Sequence, residues 1–191
     1  MLQKLFVFAL LLAVFCLSQA KPARFASCGY PNNTATAPHT YSCNTSAAIQ
    51  VLQTQILDRK TKKPVYPIDA SKAIIIDLTA VNHGAAINDD KANVRLFEYN
   101  TNFMTGDCGW QEINIFGLLD NIDGCQMAHN CPLRHGNLSL ELPIDLSKFA
   151  SIIQILTSGN AYQLRIEMFD YNSGSSHEMI SCAISQVVFT K

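Results

Sequence analysis

DGCQMAHNCPLRHGNLSLELPID, residues 123–145, is the stretch from which the rest of the chain can be read. Cys125 and Cys131 have five residues between them and can close a tight ring, and Pro132 fixes φ directly after it, so the chain leaves the ring through a stiff corner. Beyond Gly136, Leu138, Leu140 and Leu142 alternate with Asn137, Ser139 and Glu141, the period of a strand with one apolar face. Asn137-Leu-Ser139 is also a glycosylation sequon. A glycan there must face water, which turns the leucines inward.

Working outward, the first twenty residues carry Lys4, an apolar run from Leu5 to Leu17, and small residues at Ser18 and Ala20. That pattern predicts a secretory signal peptide over 1–20, with an apolar run too short to span a bilayer of about 30 Å. Residues 21–191 are then expected to form one domain. The formal net charge is −1 and becomes one unit more negative when Lys4 leaves. Nucleic acid is excluded as a partner, because there is no basic excess to release counterions. Cys16 leaves with the signal, and Cys28, Cys43, Cys108, Cys125, Cys131 and Cys182 remain. Six cysteines in a secreted chain predict three disulfides, with fifteen connectivities open. Sequons at Asn32, Asn44 and Asn137 fit the same compartment.

In order along the chain, residues 21–46 read as an extended polar arm tied down by Cys28 and Cys43. Strands are predicted over 49–57, 73–81, 93–99, 110–116, 138–144, 162–168 and 179–189. The first of these runs into a basic knuckle of Arg59, Lys60, Lys62 and Lys63. A hairpin loop at 172–176 joins the last two, and 145–156 fits either a helical turn or extended chain. Short strands, turn clusters and no long amphipathic helix give an all-β fold, an antiparallel sandwich.

No set of residues assembles a catalyst. There is no Gly-x-Ser-x-Gly elbow, and Ser175 and Ser176 beside His177 lack a carboxylate to orient the base. His129 and His135 flank Cys131, but zinc would need a thiolate where a disulfide is expected. Asp89 and Asp90 lack the ligand spacing of a calcium loop. The expectation is therefore no enzyme, no metal and no cofactor.

A Cys, five residues, Cys-Pro-Leu133, then a strand ending Leu142-Pro143, together with Cys28-Gly29 near the start, the strand 162–168 and Cys182 in the final strand, resembles the ML lipid-recognition family. That family includes the Niemann-Pick sterol-transfer protein and the ganglioside activator. The resemblance implies an immunoglobulin-like sandwich whose sheets separate to hold a sterol, phospholipid or glycolipid, with no catalytic residues. By matching positions it implies a pocket lined by Met127, Leu133, Leu138, Leu140, Leu142, Leu164, Ile166 and Met168. The extra length between Gly84 and Cys125 leans toward the larger-cavity ganglioside-activator type. For the disulfides, proximity favours Cys125 with Cys131, and Cys28 with Cys182 would tie the two ends of the sandwich. Both match bonds of the family's sterol carrier. Cys43 with Cys108 is left over and departs from it.

Phe116-Gly-Leu118-Leu119 is an apolar loop suited to transient contact with a membrane surface, and the basic knuckle could touch anionic head groups. The function expected is a secreted or lysosomal lipid carrier. The alternative is a secreted interaction module with a solid core that binds a protein partner. The alternating pattern is the same in both, since sheets about 10 Å apart can fill the gap themselves or splay around a guest.

Overall fold

The computed structural model describes residues 28–145, 156 and 159–190. The expected signal peptide, and most of the ambiguous stretch 145–156, lie outside them. The described elements are almost all β: β1 (His39–Ser42), β2 (Ile49–Asp58), β3 (Ile68–Asp69), β4 (Ala73–Asn82), β5 (Asp90–Thr101), β6 (Cys108–Ile113), β7 (Ile122–Asp123), β8 (Gly136–Asp145), β9 (Ala161–Asp170) and β10 (Met179–Thr190), with a 3-10 turn at Pro31–Asn33 and one α-helical turn, α1 (Gly124–Ala128).

Two layers result. One runs β6-β5-β9-β10, with β1 and β3 added to β10 and β7 to β5; the other runs β2-β4-β8. A single parallel bridge, Ser181 to Ile49, links them. The other pairings are antiparallel apart from β3 with β10. In β8 the leucines sit opposite Ala80, Leu78 and Ile76 of β4, so one apolar face runs across both strands. Ile56 and Ile74 of the second layer pack with Leu96, Tyr162 and Val187 of the first, which makes the arrangement a β-sandwich.

The seven expected strands are present with small shifts at their ends. The fourth stops at Ile113 rather than Phe116. Ile115 still turns inward and is buried, but Phe116 takes φ 52°, a left-handed conformation that ends the pleat. The polar arm contains an unexpected strand, β1, whose residues 39–42 pair with 186–183 of β10.

That strand corrects the disulfides. The bonds are Cys28–Cys108, Cys43–Cys182 and Cys125–Cys131. The expected pairs Cys28 with Cys182 and Cys43 with Cys108 are exchanged. Because Ser42 lies opposite Ala183, the next residue, Cys43, arrives beside Cys182, and its N–H donates to the Cys182 carbonyl (2.8 Å). Cys28 instead lies at the far edge of the layer, where its Sγ is 3.2 Å from Thr101 Oγ1 and bonds the first residue of β6.

The corner at 123–133 is a capped helical turn. Asp123 accepts from the Gln126 N–H (2.8 Å) at one end, and His129, at φ 53°, closes the other. Leu133 follows at 2% exposure and exchanges backbone hydrogen bonds with Ile87 (2.8 and 3.1 Å). Asn82, fully buried, donates to the carbonyls of Ala85 (2.9 Å) and Leu133 (3.0 Å), stitching the corner to the loop after β4.

Candidate functional site

Among the described residues, buried side chains gather in two clusters. The first includes Ile56, Ile74, Leu96, Tyr162, Val187 and Phe189; the second includes Ile49, Ala80, Ile87, Leu133 and Ile180. Between them lies the middle of the sandwich. On β9, Leu164 packs on the first cluster and Met168 on the second, so Ile166, on the same face between them, also points inward. It is opposite Val94 on one side and Ala183 on the other. Ile166, Val94 and, from the other layer, Leu142 are only half-buried and belong to neither cluster among the described residues. A close-packed sandwich would bury its midline most deeply. Here its side chains are only half-buried.

The residues implied by the resemblance separate accordingly. Leu138, Leu140, Leu142, Leu164, Ile166 and Met168 share the inter-sheet space from opposite walls, all half-buried. Leu133 is buried in the second cluster as part of its floor. Met127 is 39% exposed on α1, apart from the others.

An opening lies at the edge of β5. β6 pairs it as far as Leu96 and β7 resumes at Ala92, so Val94 has no strand partner on that side; its N–H is taken by the Leu119 carbonyl (2.9 Å). A half-open pocket of about 350 Å³ occupies this break, lined by the apolar Val94, Ile113, Ile115 and Phe116 and by the polar Asn114 and Asp120, with Arg95 and Glu112 also in its wall, 3.5 Å apart. Phe116 and Leu118 project from it at 87% and 61% exposure, whereas Leu119 turns back onto the first cluster. Gly117 lies between them at φ +73°, where a side chain would be strained. A second exposed pair, Phe103 and Met104 at 89% and 91%, caps the β5–β6 turn. Sequence reasoning passed over it, although two large apolar residues inside a run of Asn, Thr, Gly and Asp were its signal.

The other candidate side chains have plainer settings. Lys62 of the basic knuckle pairs with Glu141 (2.5 Å). Asn137 is exposed, Asn44 accepts from Ser46 (2.7 Å), and the Asn32 side-chain nitrogen donates to Gln186 (2.6 Å). Asp90 comes near Cys125 and Cys131, but those sulfurs are bonded to each other and offer no thiolate. Asp90 itself is 1% exposed, with Oδ1 lacking a hydrogen-bond partner among the described residues. Burial pushes its carboxyl above the ordinary range, opposed chiefly by the Cys125 N–H and reinforced by Asp123 and Asp89. A Cβ on Gly124 would sit 2.5 Å from Asp90 Oδ1, so the helical turn can rest on the carboxyl only because that residue is glycine. No described helix is long and apolar enough to cross a membrane.

No family model matches the chain, and no curated protein matches it. Among solved structures, a Niemann-Pick type C2 protein from the Japanese carpenter ant is similar at 10% identity, covering 80% of this chain and 99% of that one, with a TM-score of 0.44. The C-terminal domain of wzt is similar at 14% identity, covering 85% and 81%, with a TM-score of 0.36. At such identities and scores neither likeness bears on what this chain does, and its own side chains must.

Proposed function

We propose that this chain is a soluble lipid carrier of the secretory or lysosomal compartment, holding an uncharged or weakly polar lipid between its two layers. The midline of Val94, Leu142 and Ile166 carries the reading, since apolar side chains that turn inward and are yet only half-buried leave room for an apolar guest. The opening beside Phe116 and Leu118 is the natural door, and those two side chains can rest in a membrane surface while a lipid passes. No chemical step is needed. A 16-carbon chain gains on the order of 12 kcal/mol on leaving water, but it is already dry in a bilayer, so transfer into the sandwich is close to an exchange of equals. Three disulfides suit an oxidising compartment.

The test is native mass spectrometry of the secreted, disulfide-intact protein before and after solvent extraction. Extra mass that departs as an identifiable lipid supports the carrier. A bare mass, unchanged after incubation with sterol and mixed-lipid vesicles, would mean closed layers and would favour a solid-core interaction module.

A further inference from the structure

Thr54 lies in the middle of β2, opposite Leu78, which in turn is opposite Leu140 of β8. Leu78 and Leu140 both pack on the second cluster, so this row faces inward, while Gln53 and Gln55 on either side are exposed. The next inward residue of β2, Ile56, belongs to the first cluster. Thr54 therefore stands at the seam between the two clusters, on the wall facing the inter-sheet space. Its Oγ1 is buried and has no hydrogen-bond partner among the described residues.

A hydroxyl buried without a partner is costly, and folding does not require it here. Valine has nearly the same shape, is at least as well suited to a strand, and would carry no such cost. The hydroxyl makes sense if its partner comes with the guest. We infer that Thr54 is a polar anchor for the lipid, donating to or accepting from one uncharged oxygen, a hydroxyl or a carbonyl, that enters the middle of the sandwich.

The oxygen must be uncharged. Among the described residues, the inward rows around Thr54, formed by Val51, Ile76, Leu78, Leu140, Leu164 and Ile166, hold no charged side chain to neutralise a carboxylate or phosphate. Asp90 and Glu98 stand toward opposite ends of β5, and Glu98 already accepts from Tyr162 (3.1 Å) and Asn160 (2.6 Å). A charged head at Thr54 would be buried unpaired. Sterols and straight-chain alcohols share the required chemistry.

This inference rests on the carrier reading, and one competition experiment separates the two. Delipidated full-length protein is equilibrated with vesicles containing equal amounts of cholesterol and cholest-5-ene, or, in a second arm, of 1-hexadecanol and hexadecane. Bound lipid is then extracted and quantified for wild type, Thr54→Val and Thr54→Ser. In Thr54→Val the ratio of oxygenated to deoxy ligand should fall about fivefold to tenfold below that of wild type, the worth of one hydrogen bond. Thr54→Ser should keep the wild-type ratio and shows that the loss follows the hydroxyl. The arm in which the ratio falls identifies sterol or straight-chain alcohol as the guest. An unchanged ratio in Thr54→Val, with uptake intact, overturns the anchor and leaves the carrier standing. Failure of the wild type to take up any of the four overturns the anchor, and failure to take up any lipid of the vesicles as well overturns the carrier itself.

Discussion

Ile166→Phe puts the uncovered midline to a test of sign. Ile166 occupies a central strand, with small Ala183 on one flank and half-buried Val94 on the other. If the space before it is empty, the larger ring enters it and buries additional apolar surface, worth about 1 kcal/mol at ~25 cal/mol per Å². For a domain of this size that raises Tm by about 2–4 °C. The same ring occupies the guest's volume, so bound lipid should decline. If the layers already meet at this point, the ring must force its neighbours apart at about 1–3 kcal/mol, and Tm falls by several degrees. Leu96→Phe supplies the control, because Leu96 is 3% exposed and packed within the first cluster. It should lose stability whichever is true. The assay is thermal unfolding of delipidated protein alongside quantified lipid uptake from vesicles. A lowered Tm for Ile166→Phe, matching that of Leu96→Phe, with lipid uptake undiminished, would refute the reasoning.

Three further outcomes follow from the same geometry. Asp90→Asn should raise Tm at pH 7, because the raised pKa of the buried carboxyl makes its ionisation costly to the fold, and the advantage should vanish near pH 3.5, below the ordinary aspartate value of about 3.9; equal Tm at both pH values, measured by calorimetry, would contradict it. That window lies above the one in which Asp69, held at about 2 by hydrogen bonds from Ser71 and Lys72, withdraws its support as it is protonated. Non-reducing peptide mapping should recover Cys43 linked to Cys182. Replacing both by Ala should cost up to about 5 kcal/mol in urea unfolding on the chain-entropy model, against about 2 kcal/mol for the short ring of Cys125–Cys131. Phe116→Ser with Leu118→Ser should reduce vesicle binding at least tenfold and slow lipid transfer while leaving Tm within about 1 °C, since both side chains are exposed; unchanged transfer between vesicles would remove this loop from the route.

The strands were legible because alternation is a local property. Leu138, Leu140 and Leu142, and Leu164, Ile166 and Met168, each announced one dry face, and pairing placed those faces on opposite walls. What was illegible depended on partners distant in sequence. His39–Ser42 is four residues long and mostly polar, so nothing local marked it as a strand, and without it Cys43 could not be placed beside Cys182. Asp123 and Gly124 carried no local mark of their roles. Only the folded chain makes one a helix cap and the other the space that Asp90 requires. Thr54 carried no signal at all, since a threonine in a strand is commonplace until its neighbours exclude water.

The placement of the three disulfides has a mechanical consequence. Cys28–Cys108 fastens the chain's arm to the edge of one layer, Cys43–Cys182 fastens β1's exit to β10 within that same layer, and Cys125–Cys131 closes the corner that precedes β8. None of them runs from one layer to the other. An immunoglobulin domain stapled from sheet to sheet has its thickness fixed by a covalent strut. In this molecule the oxidised cysteines stiffen the frame and leave the thickness compliant, held by side-chain contact and one main-chain bridge. Its bore can therefore follow the girth of whatever it encloses.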